Sequence, residues 1–232
     1  MKKILAITLA REGSKRIKKK NIKKLDGKPL IYYTIKAALD SKKINRHIIS
    51  TDSHEIADIT KSFGAEVPFI RPKKFAKDDT SDYLALKHSL DQLLINYNYI
   101  PDIIVNLRPT SPFRTGKIID KAISKFISSK ADLLRTISKV EGVNHPYWMY
   151  TLNKNDYANQ FIKKIDIDDY YQSQKLPSVY RINGLVDVYN RNCIYENKIL
   201  SGKMITLITE ENISHDIDTI TDFRMAEMLM KS

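Results

Sequence analysis

Residues that staple a fold or span a membrane are scarce in this sequence. It holds a single cysteine, Cys193, which excludes an internal disulfide, and no Cys/His spacing resembles a zinc site. Cys193 is expected to be a small buried or half-buried filler. No apolar run approaches the ~20 residues that cross a bilayer, and the run after Met1-Lys2-Lys3 is too short for the core of a signal peptide. No membrane partner is therefore expected, and the expected location is cytoplasmic. No repeat of roughly 20 to 50 residues and no low-complexity segment is visible. Gly-x-x-x-x-Gly-Lys-Ser/Thr is absent, as is Gly-x-Gly-x-x-Gly, so neither a Walker A loop nor a dinucleotide loop is present.

Acidic residues are outnumbered, 27 Asp and Glu against 39 Lys and Arg, for a formal charge of +12. Such a balance fits nucleic acid or a small polyanion. No RNA- or DNA-binding signature accompanies the charge, and the tyrosines lie in apparent core elements rather than among the basic residues, so no nucleic-acid partner is expected. A chain of 232 residues, 42% hydrophobic and 28% charged, can bury one good core, and one α/β domain is the default.

The chain is organised around its beginning. Ile4 to Leu9 is a short continuous apolar run, read as a parallel strand buried on both faces. It ends in a loop in which seven of the ten residues from Lys15 to Lys24 are basic. Gly13 is expected to let this loop turn sharply and present backbone N–H groups, while Arg11, Ser14, Lys15 and Lys20 offer donors and positive charge to a polyanion. A basic run is often only a solvated loop. Position favours a phosphate site, because ligands of open α/β sheets bind beyond the carboxyl ends of strands.

Helical spacing follows from Leu30 to about Ser41 after Pro29, and His47 to Ser50 reads as a second strand. Thr51-Asp52-Ser53 leads into a helix from Glu55 to Phe63, which Gly64 stops. A third strand is expected over Glu66 to Ile70. The polar loop from Arg71 to Ser81 precedes a long helix, Asp82 to about Asn96, with Thr80 or Ser81 as its cap. Asp102 to Leu107 is the clearest strand, and it runs into Arg108-Pro109-Thr110-Ser111-Pro112-Phe113-Arg114, stiffened by two prolines. A helix from Thr115 to Ser128 and a strand from Leu133 to Ser138 continue the alternation, which predicts a doubly wound, mostly parallel sheet.

The rhythm breaks between about Val140 and Tyr180. It resumes with a strand from Arg181 to Tyr189, another from Met204 to Thr209, and a helix from Thr221 to Met230. The expected division is a nucleotide-binding α/β domain over 1–139 and 181–232, with an excursion over 140–180. Because Tyr147, Trp148, Tyr150, Tyr170 and Tyr171 concentrate there, that excursion is read as a homodimer interface; the alternative is a flap packed on its own subunit.

Asp216 and Asp218 alternate in an extended segment, so both carboxylates face one way and could hold a hard cation. Alternatively, Asp218 belongs to the cap of the last helix. Arg108 and Arg181 are candidates for a carboxylate, which a planar guanidinium binds with two parallel hydrogen bonds, or else structural ion pairs.

Several segments together resemble the cytidylyltransferases that make CMP-activated acidic sugars, especially CMP-acylneuraminate synthetases. They are Ala10-Arg11-x-Gly13-Ser14-Lys15 with Lys20-Asn21, Gly27-Lys28-Pro29-Leu30-Ile31, Ser50-Thr51-Asp52, Gly64-Ala65-Glu66-Val67-Pro68-Phe69, Arg108 to Arg114, Asn183-Gly184 and Asp216-Ile217-Asp218-Thr219. The resemblance covers nearly the whole chain. It implies a Rossmann-like nucleotidyltransferase fold, and transfer of CMP from CTP to the anomeric hydroxyl of an acidic 2-keto sugar, with magnesium and release of pyrophosphate. CMP-Kdo synthesis or a sugar-phosphate acceptor is the alternative reaction.

By the same resemblance Arg11, Gly13, Ser14, Lys15 and Lys20 grip the triphosphate, Asn21 helps orient the nucleotide, and Arg71 and Ser81 lie near the cytidine. Arg11, Lys20 and Asp218 are the implied catalytic groups, and Asp216 with Asp218 the implied magnesium ligands. Arg108, Thr110, Arg181 and Asn183 would face the acceptor, and the excursion would exchange between subunits. Glu12, Lys18, Arg108 and Trp148 depart from the residues usual at their positions. The Arg108 difference adds charge where the acceptor is expected and bears on which sugar is used.

Overall fold

A computed structural model describes residues 2–231. The strands are β1 (Ile4–Leu9), β2 (Lys24–Leu25), β3 (Lys28–Pro29), β4 (Arg46–Ser50), β5 (Ile103–Asn106), β6 (Leu133–Lys139), β7 (Tyr150–Leu152), β8 (Ala158–Gln160), β9 (Tyr180–Asn190) and β10 (Met204–Ile208). The helices are α1 (Leu30–Leu39), α2 (His54–Lys61), α3 (Asp82–Tyr97), α4 (Gly116–Ile127), α5 (Arg191–Tyr195) and α6 (Ile220–Lys231). Six strands form one sheet in the order β10-β6-β9-β5-β1-β4. β4, β1 and β5 run parallel, as do β6 and β10, whereas β9 is antiparallel to both its neighbours.

The expected mostly parallel, doubly wound sheet is thus present, with a reversed strand near its centre. The reversal follows from the excursion. β6 continues into it and β9 returns from it, so Lys139 pairs with Tyr180 and the two strands meet as a long antiparallel pair. β1 has β4 on one side and β5 on the other: the chain crosses from β1 to β4 through α1 on one face of the sheet and returns past β1 to β5 through α3 on the other. That point is where a cleft opens above the strand ends.

Apolar residues on both faces of the sheet explain the continuous runs in β1 and β5. One face is covered by α1 and α4, through Ala37, Ala38, Ile119, Ala122, Ile123 and Phe126. The other is covered by α3 and α5, through Leu86, Leu90, Leu93, Cys193 and Ile194. Cys193 is buried as expected, and burial pushes its thiol up to about 11, so it is inert. The short helix α5 was not anticipated from the sequence. Gly116 opens α4 against the end of α1, where an added Cβ would lie 2.7 Å from the Asp40 carbonyl carbon. No helix among the described residues is long and apolar enough to cross a membrane.

One expected strand is absent. Glu66 to Ile70 touches the sheet edge only at isolated bridges, Glu66 to Ile48 and Ile70 to Thr51. Pro68 lies between them, and without an N–H it cannot continue a ladder. The excursion is built from short 3₁₀ turns and the β7–β8 hairpin. Part of its aromatic cluster is used internally: the Trp148 indole donates to the Tyr170 carbonyl at 3.0 Å, and Tyr147 packs edge-on against Tyr170. Tyr150, Leu152, Tyr157, Phe161 and Tyr171 remain exposed.

His47 of β4 is buried beneath the sheet end, with Nε2 3.0 Å from the Thr8 hydroxyl and Nδ1 unpartnered. Burial, reinforced by the Arg114 charge, lowers its pKa from 6.5 to about 3. A depressed folded-state pKa means stability that is complete above 6.5 and is lost as the pH falls from there toward 3. By pH 5 this one group should cost about 2 kcal/mol. Urea denaturation between pH 7.5 and 5 should therefore lose stability more steeply in the wild type than in His47→Gln; equal slopes would show that His47 is not the cause.

Candidate active site

The basic loop begins where β1 ends, and hydrogen bonds rather than glycine fix its path. Ala10 N–H donates to the Ser50 carbonyl at 3.0 Å and Glu12 N–H to Asp52 Oδ1 at 2.9 Å, so the end of β4 anchors the loop's first turn. The buried Asn21 amide donates to the Arg11 carbonyl at 2.9 Å, pinning the far end of the loop to its start. Ile17 drops into a small core with Leu25, Leu30, Ile217 and Phe223. Gly13 is not at a positive φ and has no atom within 4 Å of an added Cβ. The sharp turn expected of Gly13 falls instead on Lys19, which is left-handed at φ 52°.

The charge run divides by contact. Lys19 pairs with Glu55 at 2.7 Å, and the Lys23 ammonium lies 5.3 Å from the Phe223 ring. Arg11, Lys15, Arg16 and Lys20 line a cavity of about 450 Å³. Ser14, Asn21, Arg108, Thr110, Asp216 and Asp218 line it too, so most of the residues predicted from sequence come together at the crossover beside β1 and β5. Arg71 and Ser81 line an adjoining cavity of about 230 Å³, which shares Leu9, Arg11, Asp78 and Asp82 with the first.

Across the cavity, the segment before α6 is held by Ile217. Its side chain is buried, its N–H donates to the Thr110 carbonyl at 2.9 Å, and its carbonyl accepts from Lys20 Nζ at 2.8 Å. With Ile217 facing inward, its neighbours Asp216 and Asp218 both face the cavity, as the alternation predicted. Asp218 Oδ1 accepts from Lys20 Nζ at 3.0 Å. Asp216 Oδ1 is buried without a hydrogen-bond partner. Burial raises the Asp216 pKa, the Thr110 hydroxyl opposes that rise, and the Asp218 charge adds to it.

The side chains that cap the last helix are those of Thr219 and Asp222, and the Asp218 carboxylate takes no part. Thr219 Oγ1 accepts from Asp222 N–H at 3.2 Å, and Asp222 Oδ2 accepts from the Thr219 and Asp218 N–H groups at 2.7 and 3.0 Å. That reciprocal arrangement is a capping box in which Asp222 takes the usual glutamate's place. Two carboxylates on one wall, one with an orphaned buried oxygen, suit a hard cation that keeps its remaining positions for phosphate oxygens. No cluster of three or more His, Cys, Asp or Glu that could close around a metal exists among the described residues.

Arg108 is caged. Its guanidinium pairs with Asp82 at 3.1 Å and with the fully buried Asp187 at 3.6 Å, and its carbonyl accepts from Arg114 at 2.8 Å. Gly184 makes room for it, since a Cβ at that left-handed position would lie 3.0 Å from Arg108 Cδ. Burial lowers the Arg114 pKa to about 9.

Two predicted acceptor residues are not in this cavity. Arg181 forms with Glu211 the structural ion pair left open by the sequence, and lines a neighbouring hollow that meets the main cavity at Asp216. Asn183 is buried and spends its amide on the Ser138 and Thr209 hydroxyls, at 2.8 and 2.7 Å. The ladder register shifts between Arg135 and Ile137, and strand alternation past that shift no longer predicts which way β9 side chains face. Sequence reasoning also missed Asp78, Asp82 and Asp187. Only Asp187 left a signal, a charged residue inside the apolar run Leu185-Val186-Asp187-Val188.

A family model described as cytidylyltransferase matches residues 5–230. The chain belongs to the cytidylyltransferase family. This cytidylyltransferase is 33% identical over 236 residues to the CMP-N,N'-diacetyllegionaminic acid synthase of Legionella pneumophila, covering 99% of this chain and 97% of that one. It is 31% identical over 233 residues to a pseudaminic acid cytidylyltransferase of Campylobacter jejuni, covering 99% and 97%. Its fold matches the solved structure of CMP:2-keto-3-deoxy-manno-octonic acid synthetase complexed with CTP, at TM-score 0.75 and 15% identity over 99% and 98% of the two chains. The Rossmann-like nucleotidyltransferase architecture expected from the resemblance is therefore the one present.

The capping box separates two neighbouring residues by effect. Thr219→Ala in this cytidylyltransferase should cost about 1 kcal/mol of stability, while Asp218→Asn should leave the melting temperature nearly unchanged. Thermal unfolding of both variants checks this, and a large loss for Asp218→Asn would return that residue to the cap.

Proposed function

We propose that the protein transfers CMP from CTP to the anomeric hydroxyl of an acidic 2-keto sugar of the nonulosonate class, releasing pyrophosphate. What carries the reading is the cavity at the crossover, where a cationic loop faces the carboxylates of Asp216 and Asp218 across a space sized for small ligands. The names of the relatives, which concern legionaminic and pseudaminic acids, support the acceptor class.

In this reading Arg11, Ser14, Lys15 and Lys20 take the phosphates, and Asn21 acts by holding the loop through the Arg11 carbonyl. Arg71 and Ser81 take the cytidine side, in the adjoining cavity. The anomeric hydroxyl oxygen attacks the α-phosphorus and gives up its proton to water, its bond to phosphorus forms, and the bond to the leaving pyrophosphate breaks. The reaction is mostly positioning plus neutralisation of charge, and the protein's part is to supply fixed cations where that charge develops. Magnesium held by Asp216 and Asp218 would neutralise charge on the triphosphate near the reacting group. Lys20, bonded to Asp218, joins the phosphate loop to that carboxylate pair. Arg108 and Thr110 remain as acceptor-side groups, and Arg108 presents only donors, so it would read an oxygen of the sugar.

The excursion over 140–180 would serve as the homodimer contact, with Tyr150, Leu152, Tyr157, Phe161 and Tyr171 as the apolar surface left for a partner. Sedimentation at micromolar concentration should give a dimer; a monomer would sink that part of the reading.

Pyrophosphate release with CTP and magnesium should be seen with one or more of N-acetylneuraminate, legionaminate, pseudaminate and Kdo. Asp218→Asn should cut turnover by about a hundredfold or more, the scale seen when one preorganised charge-stabilising group is lost. Turnover of a sugar phosphate but of none of these acids would overturn the assignment.

A further inference from the structure

Two of the loop cations that line the cavity, Arg11 and Lys15, are already paired with a carboxylate. Arg11 Nη1 lies 2.6 Å from Asp78 Oδ1, and Lys15 Nζ bonds the other oxygen, Asp78 Oδ2. Both cations hold the Asp78 carboxyl below its usual range. Asp78 belongs to the irregular loop between Arg71 and Ser81. It lines both the larger cavity and the adjoining one, as Arg11 does, so the Asp78 contact lies along their shared wall. Asp78 and both cations are part-exposed, so the pairing is solvated and can be broken at small cost.

We propose that Asp78 is a displaceable counter-ion that sets the affinity and phosphate-length specificity of this site. Its carboxylate stands where a phosphate would bind Arg11 and Lys15, and a triphosphate must replace it. A ligand with several outer charges gains both cations in exchange. A nucleoside monophosphate, or a CMP-sugar with one phosphodiester charge, gains too little to open the contact and leaves Asp78 in place. Opening the contact also joins the two cavities, so the same event that admits the phosphates connects them with the space beside Arg71 and Ser81. After pyrophosphate leaves, Asp78 returns to Arg11 and Lys15, and the product is held without their help.

This inference rests on the reading of Arg11 and Lys15 as phosphate-binding residues, and the probes are chosen to separate the two. Binding of inorganic tripolyphosphate, CTP and CMP is measured by calorimetry at low salt in metal-free buffer for the wild type, Asp78→Asn, Asp78→Ala and Asp79→Asn. Circular dichroism establishes that each variant is folded. The neighbouring Asp79 is exposed and serves as a control for a general change in field. Both Asp78 variants should bind tripolyphosphate and CTP about three- to tenfold more tightly, as expected for release of one or two solvated ion pairs. CMP should bind all four proteins alike, and Asp79→Asn should resemble the wild type.

Unchanged or weaker tripolyphosphate binding in the Asp78 variants overturns the proposal. So does equal tightening by Asp79→Asn, or equal tightening of CMP, because either would mean general electrostatics rather than displacement. If tripolyphosphate fails to bind any of the four proteins, Arg11 and Lys15 are not an anion site and the proposal falls with that reading. If tripolyphosphate behaves as expected and CTP binds none of them, the counter-ion stands and the nucleotide assignment fails.

Discussion

The Lys20 ammonium is the joint on which the site depends. It donates to the Ile217 carbonyl and to Asp218 Oδ1 across 197 and 198 residues of sequence, fastening the loop after β1 to the segment before α6. Its side chain is largely buried while that of Asp218 is half exposed. The ammonium could not be left alone there, because a desolvated cation without acceptors is costly, whereas the carboxylate is open to water. The contact therefore draws two remote pieces of chain together for the same reason that it puts a cation beside a carboxylate pair. Ile17 and Ile217 meet in one small core behind it, which gives the joint an apolar backing.

Seen from this joint, the +12 charge of the chain is a poor guide to the charge of the site. Arg11 and Lys15 face Asp78, Lys20 faces Asp218, and Arg108 faces Asp82 and Asp187. The cavity is thus a set of compensated pairs, some solvated and some not. The difference decides what each pair can do. Asp187 is fully buried and depends on Arg108 and Arg135, at 3.6 and 3.8 Å, to offset its burial. Removing one partner of such a buried pair costs about 3–5 kcal/mol, so Arg108 is tied into the fold as well as turned toward the cavity. Asp78, at the solvent edge, carries no such penalty and can let go.

How much of this was legible follows from the range over which each feature is decided. Ile4 to Leu9 and the loop behind it could be read directly, since an apolar run and a cluster of charge are local, and the sheet's crossover then fixes where the loop points. The pairing of Asp216 with Asp218 on one side was also legible, because alternation about a buried Ile217 needs only three residues. The expected strand at Glu66 to Ile70 failed because Pro68 removes a donor that the apolar pattern does not reveal. That Arg181 and Asn183 lie outside the main cavity was not legible, since the way β9 side chains face depends on a register shift opposite Thr136, which is a property of two strands and of neither alone.

The carboxylates Asp78, Asp82 and Asp187 were missed for a further reason. Each gains its role only from a cation brought in by another loop or strand, and a carboxylate's own neighbours in sequence say nothing of that cation. This asymmetry is general to anion-binding sites. The cations must be clustered to create field, so they leave a mark in the sequence, whereas the counter-ions that make such a cluster tolerable before the ligand arrives can come from anywhere on the rim. In this fold they come from the loop before α3, from the first turn of α3 and from the centre of β9. The resting arrangement of the site is consequently a property of the tertiary structure, while its preference for anions is written in the chain.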